Sequence, residues 1–75
     1  MDVEPELRDQ LIECARVLAS DRGWPWREPV EVTAGAEGGE PVWFVNSNYL
    51  MRGANVRIVL RRSDHSLVRA GFLPR

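Results

Sequence analysis

The sequence is poor in the residues that carry metal or covalent chemistry. Its 75 residues include one cysteine, Cys14, and one histidine, His65. A lone thiol cannot form an internal disulfide, and one Cys and one His far apart in the chain do not make a zinc site. His65 lies in the turn-like segment 62–66, and sequence neighbours in a turn rarely converge as a catalytic triad requires. We therefore expect a non-enzymatic protein with no cofactor, no metal and no catalytic residue.

Long apolar runs are absent as well. No stretch approaches the roughly 20 apolar residues that cross a bilayer, so we expect no membrane partner. The first ten residues, MDVEPELRDQ, are acidic and lack the basic and apolar regions of a signal peptide. We expect a cytoplasmic protein made of one domain, residues 1–75. So short a chain buries only about 60% of its unfolded surface, and dimerisation or docking on a partner would enlarge its small core.

Lysine is missing, and all ten basic residues are Arg. The net charge of −1 does not by itself indicate a nucleic-acid or membrane partner. However, residues 1–40 carry ten acidic groups and four Arg, whereas residues 41–75 carry one acidic group and six Arg. Two explanations remain open. An acidic helix and a basic sheet neutralise each other, or a basic sheet face receives an acidic partner.

What the sequence does have is two hydrophobic periods. Leu7, Leu11, Cys14 and Leu18 recur at helical spacing. Pro5 suits a first helical turn and Gly23 can close a helix, so the pattern predicts a helix over about 5–21. Strands are predicted at 30–34, 42–46, 55–61 and 67–72, with apolar residues alternating in all but 42–46, which is apolar on both faces. The glycine-rich segment 35–41 is interpreted as a flexible connection.

Short links between consecutive strands favour antiparallel neighbours. The predicted fold is α+β, an N-terminal helix packed on a four-stranded antiparallel meander sheet. We expect Leu11, Leu18, Val56, Ile58 and Leu60 to be almost fully buried between the two layers. At least two of the three Trp residues are expected to close that core. One Trp exposed as an interface anchor is the alternative.

The face of the sheet opposite the helix is the candidate site. If Val56, Ile58 and Leu60 face the helix, then Arg57, Val59 and Arg61 lie on the other face. The alternation predicts that Leu67 and Arg69 join them, with Val68, Ala70 and Phe72 inward. The second strand is apolar on both faces and adds either Trp43 with Val45 or Val42 with Phe44. A solvated face is one interpretation. The other is a partner-binding surface formed by Arg57, Val59, Arg61, Leu67, Arg69 and Trp43.

Two segments resemble small cystatin-like and NTF2-like domains, notably the NTF2-fold immunity proteins of bacterial toxin systems. The similar segments are the aromatic strand VWFV at 42–45 and RGANVRIVL at 52–60, followed by the turn RSDHS at 62–66 and the strand LVR at 67–69. The resemblance covers about half of the chain and implies a non-catalytic bacterial protein that binds and neutralises a cognate toxin.

Together these observations predict a small protein-interaction module whose partner is another protein or a second copy. The alternative is a small-ligand or nucleic-acid binding domain that uses the basic sheet, since Arg beside aromatic residues suits single-strand binding. The acidic helix and the net charge make nucleic acid the weaker of these expectations.

Overall fold

The computed structural model describes residues 3–51 and 53–73. One helix, α1 (Pro5–Asp21), is followed by four strands. They are β1 (Val30–Glu37), β2 (Glu40–Ser47), β3 (Asn55–Arg61) and β4 (Leu67–Leu73). The strands form one antiparallel sheet in the order β1-β2-β3-β4, which confirms the predicted α+β fold. Within the described residues, no helix has the length and apolar content to cross a bilayer.

The helix begins and ends where its sequence predicts. Pro5 occupies the first turn, where its missing N–H is not needed. At the other end Gly23 has φ +72°, and the amides of Gly23 and Trp24 donate to the carbonyls of Ser20 and Ala19. This pattern is a Schellman motif, which satisfies carbonyls that the end of a helix leaves free.

The buried side of α1 is narrower than the sequence predicts. Its fully buried residues are Leu11, Ala15 and Ala19, whereas Leu18 is half-buried, so the prediction for Leu18 is wrong. Two alanines at the contact let the helix axis come close to the sheet, and the longer Leu18 lies at the edge of that contact. The predictions for Leu11, Val56, Ile58 and Leu60 are confirmed, because all four have no exposed surface.

The segment predicted as a flexible connection is a tight hairpin instead. Residues 35–37 continue β1, and Glu37 pairs directly with Glu40. The turn is Gly38-Gly39, with φ values of +60° and +81°. Positive φ at both central residues is typical of the type I′ turn, whose twist matches that of the two strands. Gly38 and Gly39 therefore reflect the backbone conformation of the turn rather than mobility.

A β-bulge changes the alternation of β4. Val59 pairs with Arg69, but the next residue of β3, Leu60, pairs with Leu67, so Val68 is an extra residue. Because of this shift Leu67 shares the helix-facing side with Leu60 and packs against the core. The prediction that Leu67 lies beside Arg69 on the opposite face is wrong for this reason.

The core lies between α1 and the first three strands. Its buried members on the sheet are Val30, Trp43, Val45, Val56, Ile58 and Leu60. The helix packs across β1, β2 and β3 but does not reach β4. On the helix side of β4, Phe72 is covered by the ring of Trp24, with ring centroids 5.9 Å apart. No residue of β4 is fully buried, although six of its seven side chains carry no charge.

Candidate protein interface

The outer face is the face of the sheet opposite α1. Strand pairing aligns its residues in rows that run across the sheet. One row contains Thr33, Phe44, Val59 and Arg69, and a neighbouring row contains Glu31, Asn46, Arg57 and Gly71. Of the predicted interface residues, Arg57, Val59, Arg61 and Arg69 therefore do share this face.

A small apolar layer lies beneath the charged groups of the outer face. Val42 and Val59 have no exposed surface, although both are on the side away from the helix. Phe44 packs on Gly35 of the neighbouring strand so closely that a Cβ at Gly35 would overlap the ring. The stems of long side chains can cover such a layer while their charged heads stay in water. Val59 is thus part of a second core rather than a contact surface.

Two of the three predicted arginines are bound within the chain. Arg61 donates from Nε to Glu40 Oε1 at 2.9 Å and from Nη1 to Ser66 Oγ at 2.9 Å. Arg69 holds Glu37 in a bidentate pair, with N–H···O distances of 2.8 and 2.9 Å between the heavy atoms. Planar, two-point contacts of this kind suit the guanidinium group. These two side chains are occupied by acidic residues of the same sheet.

The Glu37–Arg69 pair joins the two edge strands of the sheet. β1 and β4 are three strand spacings apart, about 14 Å in a flat sheet. The hairpin end must therefore curl over the outer face for the carboxylate to reach Arg69. The hydrogen bonds from Arg69 lower the pKa of Glu37, and the charge of Arg57 lowers it further. The same contact raises the pKa of Arg69.

Arg57 is the arginine of the outer face that remains available. It is exposed, and its Nε donates to Asn46 Oδ1 at 2.8 Å. Its guanidinium carbon lies 5.4 Å from the centre of the Phe44 ring, a cation–π distance. Among residues 3–51 and 53–73 it takes part in none of the three ion pairs. The aromatic ring fixes the position of the group while its charge stays uncompensated by a bonded carboxylate.

Trp43 lies on the helix side of the sheet, so its predicted place in the interface is wrong. It is 7% exposed and belongs to the core cluster. β2 is apolar on both faces, so its sequence does not decide which set faces the helix. Here the larger indole fills the main core and Val42 fills the thin outer layer. The guanidinium of Arg62 lies over the indole, 5.3 Å from its centre.

A groove of about 600 Å³ opens at the end of the outer face beside Arg57. Its walls come from the β2–β3 loop, the middle strands and the last residues of β4. Tyr49 and Met51 line it on one side and Leu73 on the other, and all three are exposed, with Leu73 61% exposed. Among the described residues, the charged side chains on its walls are those of Glu31 and Arg57. The groove is therefore apolar with charges of both signs at its sides.

Two asparagines hold the loop that presents these apolar residues. Asn55 Nδ2 lies 2.7 Å from the carbonyl oxygen of Asn48 and 3.0 Å from that of Met51. Asn48 is buried with φ +53°, and its side-chain Nδ2 donates to the backbone carbonyl of Gly53. The loop is also hydrogen bonded to the segment before β1, because the backbone N–H of Asn48 donates to the carbonyl of Arg27 at 2.8 Å. Tyr49 and Met51 therefore project from a loop that is braced at several points.

The sequence prediction did not include this groove. The signal was present, because Tyr49-Leu50-Met51 is a run of three large apolar residues inside a loop. Its proximity to Leu73 and Arg57 depends on the pairing of β3 with β4. No protein-family model, curated protein or solved structure matches this chain.

Proposed function

We propose that this chain is a small protein-interaction module that binds an extended segment of another protein in the groove beside Arg57. The proposal keeps the outer face as the binding surface but moves its centre from the arginine row to the end of the sheet. Arg57 is the one predicted interface residue that both lines the groove and has a free charge.

The observation that carries this proposal is the distribution of exposed apolar side chains. Five large hydrophobic residues are exposed in the described part of the chain. Four of them, Tyr49, Leu50, Met51 and Leu73, belong to the loop and the strand end that meet at the groove, and Val17 lies on the helix. Single exposed apolar residues are ordinary, but a cluster beside a cleft is typical of an interaction site.

The chemistry of the groove defines the segment that fits it. Tyr and Met at its wall offer a large aromatic contact and an adaptable thioether, both frequent at protein-binding surfaces. Arg57, held over Phe44, presents N–H donors suited to a carboxylate. The expected ligand is an apolar side chain followed closely by Asp, Glu or a terminal carboxylate.

The aromatic groups of the sheet favour a protein over a nucleic acid. Stacking of single-stranded bases needs exposed aromatic faces beside basic residues. Trp43 is buried and one face of Phe44 is covered by Arg57, so the groove offers one exposed ring, Tyr49, rather than a series of stacking platforms. Arg61 and Arg69 already hold carboxylates. The sequence resemblance to NTF2-fold immunity proteins suggests what kind of protein the partner is. We propose that it is a cognate toxin, bound in a bacterial cytoplasm.

The proposal is tested with the protein encoded by the gene next to this one, which is the candidate cognate toxin. Calorimetric titration measures its affinity for this chain. Met51→Ser removes the thioether from the groove and Arg57→Gln removes its free charge. Each change is expected to weaken binding at least about tenfold, the effect of losing a residue central to an interface.

Matched substitutions outside the groove provide the controls. Val17→Ser removes an exposed apolar side chain of the helix, and Arg16→Gln removes an exposed arginine paired with Glu13. Both variants are expected to bind as the native chain does. Equal losses for the groove and helix variants, or no loss for either groove variant, would refute the proposed site.

A further inference from the structure

From the geometry of β4 we infer a second interaction surface, at which two copies of this chain pair edge to edge. β4 is the last strand of an open sheet, and β3 is its partner on one side. No other described residue hydrogen bonds to the β4 backbone. Backbone N–H and C=O groups along a free edge are a template for another strand.

The two edges of the sheet differ in how they are guarded. β1 carries Glu31 and Glu37, and Arg8 of the helix donates to the carbonyl of Val30 at 2.9 Å. β4 has the sequence LVRAGFL, with one charged residue, and the helix does not cover it. Charged side chains and covering elements are the usual protection of edge strands. β4 has no charged side chain along residues 70–73.

A second copy of β4 is the occupant that its charge pattern fits. Antiparallel pairing about a two-fold axis aligns the whole strand when the middle residue, Ala70, lies opposite Ala70 of the other copy, with the axis midway between them. This register places Arg69 of each copy opposite Gly71 of the other. No like charges then face each other directly, and each Arg69 is already paired with its own Glu37. The small side chains of Ala70 and Gly71 permit close approach at the axis.

Substitution of Gly71 tests the pairing, because a Cβ added there meets no atom within 4 Å in the single chain. In the inferred dimer Gly71→Glu places a carboxylate opposite Arg69, whereas Gly71→Arg places two guanidinium groups together. Sedimentation of the purified chain over a range of concentrations is expected to show a reversible dimer. The two variants are expected to differ at least about tenfold in dissociation constant, Gly71→Glu being tighter. Thermal unfolding of each variant shows that its monomer is folded.

Disulfide formation tests the register. In a Cys14→Ala background, Ala70→Cys places two thiols opposite each other at a distance that a disulfide spans. Leu73→Cys is the control, because its two copies lie at opposite ends of the paired strands, about 20 Å apart, although Leu73 is far more exposed. With oxidised glutathione, Ala70→Cys is expected to form the covalent dimer and Leu73→Cys is not.

A native chain that stays monomeric at every concentration overturns the inference. So does a dimer in which Leu73→Cys is cross-linked as readily as Ala70→Cys, since that dimer would use another surface. These measurements involve no other protein, so their outcome is independent of the proposed partner in the groove.

Discussion

In the outer apolar layer, the ring of Phe44 packs directly on Gly35. A ring packed on a glycine of the neighbouring strand fills the place that a Cβ would take. The same ring contacts the guanidinium of Arg57, 5.4 Å from its centre. A substitution at Gly35 should therefore affect both the stability of the sheet and the position of a binding residue.

We predict that Gly35→Ala destabilises the fold by about 1–3 kcal/mol, because the added methyl displaces the Phe44 ring. Gly71→Ala is the matched control, since its Cβ meets open space and glycine in a strand is itself unfavourable. That variant should be neutral or slightly more stable. Urea unfolding monitored by circular dichroism measures both changes. In a Phe44→Leu background the cost of Gly35→Ala should shrink, and an unchanged cost would contradict the proposed clash.

At the scale of elements, the β1–β2 hairpin depends on two residues in the left-handed region. Its strands pair without irregularity from Val30–Ser47 to Glu37–Glu40. The turn fixes this register, and the register places Glu37 where it can reach Arg69. The Glu37–Arg69 ion pair on the outer face therefore depends on the conformation of the Gly38-Gly39 turn.

Substitutions in the turn test this assignment. Gly38→Asn is expected to preserve or slightly raise stability, because Asn tolerates positive φ and Asn-Gly is a preferred type I′ sequence. Gly38→Val should cost about 1 kcal/mol or more, since a β-branched residue in that conformation is strained. The unfolding midpoints of the two variants give the comparison. Similar midpoints would show that the turn adopts another conformation.

The elements that the sequence predicts well are those whose signals are local. Pro5, Gly23 and the helical stripe define α1, and strict alternation defines β3 from Asn55 to Arg61. The sequence predicts a flexible connection in place of the hairpin, because glycines that satisfy a tight turn have the composition of a flexible segment. Local pattern also places Arg57, Val59 and Arg61 on one face correctly.

Other features depend on contacts between distant parts of the chain. The bulge at Val68 places Leu67 on the opposite face from the one that alternation predicts, and the apolar pattern of β4 does not indicate a bulge. The orientation of β2 depends on which of two apolar sets the helix covers, so Trp43 could not be assigned. The groove depends on the approach of the β2–β3 loop to the end of β4. These features are tertiary, and a one-dimensional pattern does not contain them.

At the scale of the whole molecule, part of the charge asymmetry of the sequence is offset by ion pairs within the sheet. Glu37 and Glu40, from the acidic half of the chain, pair with Arg69 and Arg61 of the basic half. These two pairs agree with the expectation that the two halves partly neutralise each other. However, the acidic groups involved come from the β1–β2 hairpin rather than from the helix.

The Glu37–Arg69 pair predicts a specific pH dependence of stability. The folded pKa of Glu37 is lowered, so its contribution is fully present above the ordinary glutamate pKa of about 4.3 and is lost as pH falls through the lower folded value. Glu37→Gln should therefore melt below the native chain at neutral pH, and the two should converge in acid. Glu31→Gln, on the same strand and outside every ion pair of the described residues, is the control. Native and Glu37→Gln melting curves that stay equally separated in acid would contradict this role.

The meander order also has a consequence for how the chain folds. Each strand pairs with its neighbour in sequence, so every hairpin closes a short loop and the entropy lost at each step is small. The β1–β2 hairpin, with two residues in its turn, has the shortest loop of the three and is the natural nucleus. The helix precedes all four strands and finds its binding surface only when β1, β2 and β3 are side by side. If strands add outward from this hairpin, the helix docks and the Glu37–Arg69 contact forms late in folding. Substitutions in the helix contact or in this ion pair should therefore speed unfolding more than they slow folding.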